Sequence, residues 1–553
     1  MQGSTGTFRL ITVLLWAIAA QLVAAPAVAD CPHALVTPLI ELRSGLVAEG
    51  RNVTVEGAVT GVFIGPERLG GFFIQQQGRP PAGLFVYAPG LSADAVRPGD
   101  QVQVAGRFNH FHGRPQVSRV VDLHICAHTG LPDATVVRLP EDAARLADLQ
   151  DVKVRFDQPL TVTGNYELGR YGSLRLSADG RLHRRTGAAH ADRKSVQARQ
   201  IVLDDGSYRA NPRPIPYLAA SGTRRAGDRV EALTGILTHA FDAHRVHPTR
   251  VPVFVEANPR PAMPAAPGGM LRVATLNVEN YFLTLGQRGA ANPVQLDQQR
   301  KKLNAAIRGI DADVLSLVEV ENREAALDDL LRTVNRDMPA ALRYQAVLHR
   351  TPGTDAIRNA ILYRPTRVSL LDAEADVDPV HNRPPLLAWF SPADGGEPFG
   401  VVAIHFKAKV GCPETGDVDL GQGCWNQLRT RQARRLLDWL AGVRRADAPV
   451  LVAGDLNAYH GEDPLLEFLA AGKQDLASRH LPPERHYTYV FHGEAGQLDY
   501  LLARKDLAER VVAAGIWHIN ADEPPFLGFA GRSPASGPWR SSDHDPVWAD
   551  LHW

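Results

Sequence analysis

A Pro/Ala/Gly-rich segment, NPRPAMPAAPGG at residues 258–269, divides the sequence into two parts with different patterns. Before it, short alternating stretches such as VTVEGAVTGVF and GDQVQVAGRF are separated by turn residues, which predicts antiparallel strands. After it, apolar stretches alternate with segments that carry apolar residues at helical spacing, such as QLRTRQARRLLDWLAGVRR. Strands that alternate with amphipathic helices indicate an α/β domain over 270–553, and we interpret 258–269 as a linker.

The part before the linker carries a weak internal repeat. The strand series over 30–129 predicts a small closed antiparallel barrel, because closure leaves no unpaired strand edge. Residues 97–120 and 225–251 each contain Gly-Asp, an alternating strand, a His-containing turn and another strand. We therefore predict a second barrel of the same type over 130–257, with an insertion at 177–200. A chain of 553 residues is too long for a single core, which agrees with several domains.

The predicted insertion is rich in basic side chains. They are Arg181, Arg184, Arg185, Arg193, Lys194 and Arg199. Such a segment either follows a phosphate backbone or forms a solvated surface loop, and the sequence leaves both interpretations open. The formal net charge of the whole chain is zero, so the global charge predicts no partner.

The N-terminus predicts export. Arg9 precedes the apolar run LITVLLWAIAAQLVAA, which is short for a membrane anchor and is followed by the cleavage-type triplet Ala-Val-Ala at 27–29. We predict a signal peptide over 1–29 and a secreted or periplasmic mature chain. The four cysteines suit disulfides in that compartment, and of three possible pairings we predict Cys31–Cys126 and Cys412–Cys424.

In the predicted α/β domain, one apolar strand after another ends in carboxylate, amide or imidazole groups. These residues are Asn277, Glu319, Glu321, His405, Asp455, Asn457, Asp499, Asp543 and His544. Strand ends are where loops project from a rigid sheet and where catalytic groups collect. Carboxylates and amides without thiolates suit a hard divalent ion, Mg²⁺ first, with Mn²⁺ or Ca²⁺ as alternatives. Histidines beside paired acids suit proton transfer or stabilisation of a charged phosphoryl transition state.

Five of these stretches also resemble a known family. In their order along the chain, ATLNVENYF, LSLVEVEN, GDLNAY, QLDYLL and SSDHDPV resemble the endonuclease/exonuclease/phosphatase superfamily with the DNase-I-like fold. GQGCWNQLRTRQARRLLDWL and TDAIRNAILYRP make the chain similar to the extracellular bacterial nucleases of that superfamily, which carry N-terminal oligonucleotide/oligosaccharide-binding (OB-like) domains. The resemblance implies a two-sheet α/β sandwich preceded by two small OB-like β-barrels. It covers the α/β domain well and the front half only in architecture.

The resemblance also implies a role for each strand-end residue. Glu319 corresponds to the principal metal-binding glutamate, assisted by Asn277 and Asp543. Asp455 and Asn457 would position and activate the attacking water. His544 would bind the scissile phosphate and would be oriented by Asp499, while His405 is the second histidine, with Asp355 as our candidate to orient it.

Other polar residues are candidates for substrate contact or for structural roles. Lys407 and Lys409 are candidates for stabilising phosphate charge, and Arg429 and Arg431 on the helix at 427–445 are candidates for backbone contacts. GRFNHFHGRP at 106–115 is either a stacking surface for single strands or a hairpin turn. The strand period of two predicts that Glu319 and Glu321 share one face, and we interpret Glu321 and Asp545 as structural.

Together these features predict a secreted, metal-dependent endonuclease acting on DNA, with RNA as an alternative substrate. A phosphodiesterase or phosphatase of the same superfamily, acting on lipid or small phosphate esters, is the second hypothesis. A secreted nucleic-acid-binding protein with an inactive catalytic domain is the third.

Overall fold

The computed structural model describes residues 31–32, 35–184, 193–268, 270–349, 353–445 and 447–553. The signal peptide predicted over 1–29 lies outside these ranges, as do Arg185 and part of the insertion. Among the residues described, no helix combines the length and the apolar character needed to cross a membrane. Both predicted disulfides, Cys31–Cys126 and Cys412–Cys424, are present.

The first region is a closed five-stranded barrel. After a short helix, α1 (Leu39–Arg43), its strands are β1 (Asn52–Phe63), β2 (Gly71–Gln76), β3 (Ala82–Tyr87), β4 (Asp100–Phe111) and β5 (Arg114–His128). They pair in the order β1-β2-β3-β5-β4, and β4 pairs back with β1. Alternate side chains such as Val55, Phe72, Leu84 and Val104 fill the interior, as the alternating pattern predicts.

The second region is an open sheet. Its strands are β6 (Thr135–Val137), β7 (Lys153–Phe156), β8 (Leu160–Gly164), β9 (Ser173–Ser177), β11 (Gln200–Asp204), β12 (Arg229–Glu231), β13 (Thr234–Ala240), β14 (Ala243–Pro248) and β15 (Val253–Val255), and α2 spans Leu168–Tyr171. These nine strands pair in the order β15-β12-β8-β9-β11-β14-β13-β7-β6. The hairpin β13–β14 agrees with the predicted repeat of β4–β5.

The openness of this sheet differs from the predicted second barrel over 130–257. Its apolar face is completed by Phe526 and Leu527, which come from the C-terminal region and pack with Leu160, Leu174 and Leu203. Because a neighbouring part of the chain covers the core, closure by pairing of the two edge strands is not required.

The predicted insertion leaves this sheet. Its strand β10 (Leu182–His183) pairs in parallel with β26 (Glu494–Gly496) of the C-terminal region, and α3 (Arg193–Ala198) follows the undescribed segment 185–192.

The C-terminal region is a two-sheet α/β sandwich, as predicted. One sheet has the order β18-β19-β17-β16-β29-β28 and the other β20-β21-β22-β23-β27-β24. The strands of the first are β16 (Leu271–Tyr281), β17 (Val314–Glu321), β18 (Gln345–Ala346), β19 (Ile357–Tyr363), β28 (Val511–Ile516) and β29 (Val547–Leu551). Those of the second are β20 (Val368–Ala375), β21 (Leu386–Pro392), β22 (Phe399–His405), β23 (Val450–Asp455), β24 (Lys473–Asp475) and β27 (Asp499–Arg504). A separate hairpin, β25 (Tyr489–Phe491) and β26 (Glu494–Gly496), joins β10 in a three-stranded sheet.

Helices cover both outer faces of the sandwich. They are α4 (Pro293–Ile310), α5 (Glu324–Asn335), α6 (Asn426–Gly442) and α7 (Asp463–Ala470), whereas the short α8 (Lys505–Ala508) packs Leu507 and Ala508 into the core between the sheets. Asn292 caps α4 by accepting a 3.0 Å hydrogen bond from the Gln295 main-chain nitrogen, and Pro293 occupies the first turn. Leu303 and Ile307 of α4 pack on the first sheet, whereas Leu436 and Leu440 of α6 pack on the second. The layers hold both sheets rigidly where their strand ends meet.

Candidate active site

Three of the predicted site residues lie at the ends of adjacent strands in one sheet. His405 pairs in register with Asp455 across the parallel strands β22 and β23, and Asp455 pairs with Asp499 across β23 and β27. All three side chains are buried. The pairing explains how residues distant in sequence meet at one edge, because His405 and Asp455 end two parallel strands and Asp499 begins the antiparallel strand beside them.

Glu319 reaches this edge from the other sheet through a break in strand regularity. The register of β17 shifts between Leu317 and Val320, and Glu319 itself has φ 68°. The carboxylate accepts hydrogen bonds from Asn277 Nδ2 at 3.1 Å and from the Asn280 main-chain nitrogen at 2.9 Å. A bulge of this kind re-aims a side chain, and non-glycine residues hold positive φ only where their surroundings enforce it.

The same bulge corrects the prediction that Glu319 and Glu321 share one face of the strand. The extra residue resets the alternation, so Glu321 turns away from the site. Its Oε2 accepts main-chain hydrogen bonds from Leu283 at 2.7 Å and from Thr284 at 3.2 Å. The structural interpretation of Glu321 therefore agrees with its contacts, although the period-two argument about its direction was wrong.

Asp455 is the central carboxylate of the site. Its Oδ2 lies 3.4 Å from Asn277 Nδ2, 3.6 Å from His405 Nε2 and 3.9 Å from His544 Nδ1. Its Oδ1 accepts a 2.7 Å hydrogen bond from the main-chain nitrogen of Asn457. Burial, and then the negative charge of Asp499, raise the pKa of Asp455 above its usual value. Asp455 thus gains from any cation placed beside it.

His544 and Asp499 form a buried ion pair. His544 Nδ1 donates to Asp499 Oδ2 at 2.7 Å, and the same oxygen accepts from Thr488 Oγ1 at 2.7 Å. Burial alone would lower the pKa of His544, but Asp499, followed by Asp543 and Asp455, raises it well above its usual value. The imidazole is therefore a cation at neutral pH, which suits contact with a phosphate oxygen.

His405 is in the opposite electrostatic state. Burial, then the charges of Arg383 and His544, lower its pKa well below the usual value, so the ring is neutral. Its Nδ1 has no hydrogen-bond partner within the described ranges. The predicted orienting contact from Asp355 is not formed: Asp355 accepts from Arg383 Nη1 at 3.5 Å, and Arg383 Nε donates to the main-chain oxygen of His405 at 3.0 Å. Asp355 therefore reaches only the backbone of His405, through Arg383.

Glu279 is a member of the site that the sequence prediction did not include. It follows Asn277 by two positions, and burial, then the charge of Asp543, raise its pKa to about 8. Both Glu279 and Asn280 have positive φ, 53° and 52°. Glu279 lies two positions after Asn277 in the stretch LNVEN, and residues two apart in a regular strand share one face. This spacing could have identified Glu279 from the sequence.

The carboxylates of this edge fit a hard divalent cation. Glu279, Glu319 and Asp543 repel one another, and burial followed by Asp543 also raises the pKa of Glu319. A divalent ion would relieve that repulsion, and oxygen donors with an adjacent amide are the set that Mg²⁺ prefers. Asp455, Asp499 and His544 also have atoms within 4.8 Å of one another. Because His544 Nδ1 already donates to Asp499, this trio is better described as an ion pair beside the carboxylates than as a ligand set.

The structure corrects two of the four predicted phosphate-binding cations. Arg429 is fully buried and donates to the main-chain oxygens of Cys424 at 2.7 Å, Gln422 at 3.0 Å and Lys407 at 3.2 Å. Lys409 pairs with the buried carboxylate of Glu462. These contacts lie inside the protein, so both side chains hold the disulfide-linked loop and are not free to contact a substrate.

The other two predicted cations are more accessible. Arg431 is exposed on α6, and Lys407 is half-buried with Nζ 5.2 Å from the centre of the Trp425 ring. Both remain candidates for substrate contact.

The second region and the linker bind a buried loop around Asp522 and Glu523, which precedes SSDHD in the chain. Asp522 and Glu523 have no exposed surface. Arg225 donates to Glu523 at 2.5 Å and to Asp522 at 3.3 Å, and Arg181 donates to Asp522 at 2.7 Å. Further bonds to the pair come from Asn258 at 2.8 Å, Arg260 at 2.9 Å and Thr223 at 2.8 Å. Side chains of the second region and of the linker thus fix a loop that contacts the main chain of His544 through Asn520.

Asp545 belongs to this supporting structure. Its Oδ2 lies 3.0 Å from His518 Nδ1, and its Oδ1 accepts from the main-chain nitrogens of Asn520 at 2.7 Å and Ala521 at 3.1 Å. It braces the same loop, which agrees with the structural interpretation made from sequence.

A comparison of sequences agrees with this fold. Residues 274–544 match the sequence profile of the Endonuclease/Exonuclease/phosphatase family. No curated protein matches the chain in sequence.

Several solved structures are similar to the C-terminal region. An endonuclease/exonuclease/phosphatase from Bacteroides vulgatus is 16% identical, with 51% of this chain and 98% of that one covered and a TM-score of 0.36. A humanized D. rerio TDP2 is 18% identical, with 52% and 100% covered and a TM-score of 0.36. An AP endonuclease from Archaeoglobus fulgidus is 17% identical, with 51% and 100% covered and a TM-score of 0.35.

Proposed function

We propose that this protein is a metal-dependent nuclease that hydrolyses the phosphodiester bonds of DNA, with RNA as an alternative substrate. The observation that carries the proposal is the cationic imidazole of His544, which is paired with Asp499, lies 3.9 Å from Asp455 and stands beside the carboxylates of Glu279, Glu319 and Asp543. A phosphodiester needs positive charge on its non-bridging oxygens and an oriented water, and this edge supplies groups for both.

Each side chain has a role that its contacts suit. Glu319, with Glu279 and Asp543, would hold the divalent ion, which supplies positive charge to the phosphate when it is bound. His544 would donate to a non-bridging oxygen, because Asp499 keeps its ring oriented and charged. Asp455, whose Oδ1 is held by the Asn457 main-chain nitrogen, would orient the attacking water. Asn277 is hydrogen-bonded to both Glu319 and Asp455. It would fix the distance between the carboxylate that holds the metal and the carboxylate that orients the water.

The two disulfides indicate an oxidising compartment. Together with the signal peptide predicted over 1–29, they support action outside the cytoplasm. The substrate we propose is therefore extracellular DNA.

The test is an activity screen of the full mature chain on single- and double-stranded DNA, RNA, p-nitrophenyl phosphate and a sphingolipid, with Mg²⁺ and with excess chelator. We expect DNA cleavage that the chelator abolishes. Glu319→Gln and His544→Ala should each lower the rate at least about 10²-fold. Exposed Glu484→Gln and His480→Ala are the matched controls and should retain the rate.

The outcomes separate the hypotheses. Cleavage that survives the chelator contradicts the metal requirement. Hydrolysis of the small ester or the lipid without cleavage of any polynucleotide would establish a phosphatase or lipid phosphodiesterase instead. Binding without hydrolysis of any substrate would establish an inactive nucleic-acid-binding protein.

A further inference from the structure

Aromatic rings lead from His544 to the surface of the protein. The ring of Tyr489 lies 4.7 Å from that of His544, and the ring of Phe491 lies 6.4 Å from Tyr489 with the two planes 17° from parallel. The next ring, His492, is 4.2 Å from Phe491. Phe491 is 41% exposed and His492 is also exposed, so the outer end of this aromatic ladder (Tyr489, Phe491 and His492) is open to solvent.

The ladder is built on a rigid hairpin. Tyr489 and Phe491 are two apart on β25, which places them on the same face of the strand. The turn between β25 and β26 is His492-Gly493, with φ 51° and 85°, the values of a tight two-residue hairpin turn. One edge of the hairpin is paired with β10, and the main-chain nitrogen of Arg184 donates to the Ala495 oxygen at 2.8 Å. The rings are therefore held in place without a ligand.

Basic side chains of the second region surround the outer end. The hairpin turn packs on β8 and β9, because a Cβ added at Gly493 would lie 3.1 Å from Thr163 Oγ1 and 3.4 Å from Arg175 Cδ. Arg175 and Arg184 are close enough to lower the pKa of His492, after the effect of burial. Glu494 and Glu167 act on His492 in the opposite direction, so the surroundings are mixed in charge and the ring faces must supply much of any binding.

We propose that the aromatic ladder, with Arg175 and Arg184, is a binding track for single-stranded nucleic acid. The proposal rests on the proposed nuclease function. It assigns a binding site to the part of the nucleic-acid strand that continues beyond the phosphodiester held at His544. Exposed rings stack on unpaired bases of any sequence, and guanidinium groups beside them contact the backbone. In a duplex the base faces are already stacked on one another, so the ladder favours single-stranded or locally melted substrates.

The test measures binding separately from cleavage. Full-length Glu319→Gln is titrated with a labelled single strand, with the same strand made abasic, and with a duplex, and Phe491→Ala is then added to this background. We expect Phe491→Ala to weaken binding of the normal single strand about tenfold. Binding of the abasic strand and of the duplex should change much less, and Phe491→Trp should restore the affinity. Phe241→Ala, which removes another exposed phenylalanine at 81% exposure, is the matched control and should bind as the parent does.

The possible outcomes test the binding track separately from the proposed nuclease function. If the wild-type protein cleaves DNA but Phe491→Ala binds the normal strand like Phe241→Ala, the track is refuted and the nuclease stands. An equal loss for normal and abasic strands also refutes stacking. If the wild-type protein cleaves no polynucleotide while Phe491→Ala still selectively weakens single-strand binding, the nuclease function fails and the track stands.

Discussion

The side-chain amide of Asn520 donates a 2.6 Å hydrogen bond to the main-chain oxygen of His544. The oxygen of the same amide accepts from the main-chain nitrogen of Ser541 at 2.8 Å. Asp522 and Glu523, which closely follow Asn520 in the chain, are bound by arginines of the second region. Residues far from the reaction thus contact the loop that positions the histidine, and this arrangement can be tested.

Arg225→Met should destabilise the protein and slow the reaction. It leaves the buried carboxylates of Asp522 and Glu523 short of positive charge, and breaking one partner of a buried pair costs about 3–5 kcal/mol. A displaced loop would also weaken the hold of Asn520 on His544, so kcat should fall more than KM rises. Denaturant unfolding and steady-state kinetics measure the two effects. Arg229→Met is the control, because Arg229 is 48% exposed and 3.8 Å from Glu231, a pair worth at most about 1 kcal/mol. Equal stability of the two variants would contradict the assignment.

The same carboxylates predict the response to acid. Burial alone would raise the pKa of Asp522, but Arg181 and Arg225 overcome it and hold the pKa below its ordinary value. The pKa of Glu523 is likewise lowered, because Arg260 and Arg225 outweigh burial. A carboxyl with a lowered folded pKa contributes stability above its unfolded value, about 4, and loses it as the pH falls through the folded value.

We therefore expect the melting temperature of the wild-type protein to fall more steeply below about pH 4 than that of Asp522→Asn. Thermal melts from about pH 6 to about pH 3 compare the two slopes. Parallel curves would show that Asp522 contributes nothing to the acid sensitivity.

Asp499→Asn should lower kcat at least about 10²-fold with the fold retained. The amide removes the negative charge that raises the pKa of His544 and loses the charged acceptor of its 2.7 Å hydrogen bond. Kinetics on DNA and near-UV circular dichroism measure activity and packing. Asp506→Asn, at an exposed carboxylate paired with Arg504, should leave both unchanged. Normal activity of Asp499→Asn would exclude an orienting role for this residue.

Arg429→Ala and Arg431→Ala should have opposite effects. The first removes a buried guanidinium that serves three main-chain oxygens, so the free energy of unfolding should drop by at least about 2 kcal/mol. The second removes an exposed side chain, so stability should change by no more than about 0.5 kcal/mol, while DNA affinity weakens most at low salt. Denaturant unfolding curves measure the stability of both variants, and DNA binding at two salt concentrations measures their affinity. A loss of DNA affinity in Arg429→Ala without a loss of stability would restore the original prediction.

Several features of the site followed from the sequence because they depend on local pattern. A strand that ends in Asp455 or His405 places that group at a sheet edge, and the antiparallel strand that begins at Asp499 brings this residue beside Asp455 in register. The direction of Glu319 did not follow, since the bulge between Leu317 and Val320 changes the alternation and no residue in that stretch signals it. Arg429 was misjudged for a related reason: a helix pattern gives spacing, but the Gly-rich loop that covers this arginine is held by the Cys412–Cys424 disulfide.

By itself the sequence predicted an α/β domain after residue 270 and a set of polar residues at its strand ends, because periodicity and residue chemistry act over a few neighbouring positions. The two-sheet sandwich was implied by the family resemblance, and the cysteine pairing was chosen from the order of the four cysteines. Only the tertiary structure decided that the second region is an open sheet completed by Phe526, and that Arg225 binds Asp522 across 297 positions of sequence. It also decided that Tyr489 and Phe491 line up behind His544. Such contacts depend on how separately formed sheets pack against one another. The ion pair becomes buried and the rings become aligned only after that packing, and burial is what makes the ion pair important for stability.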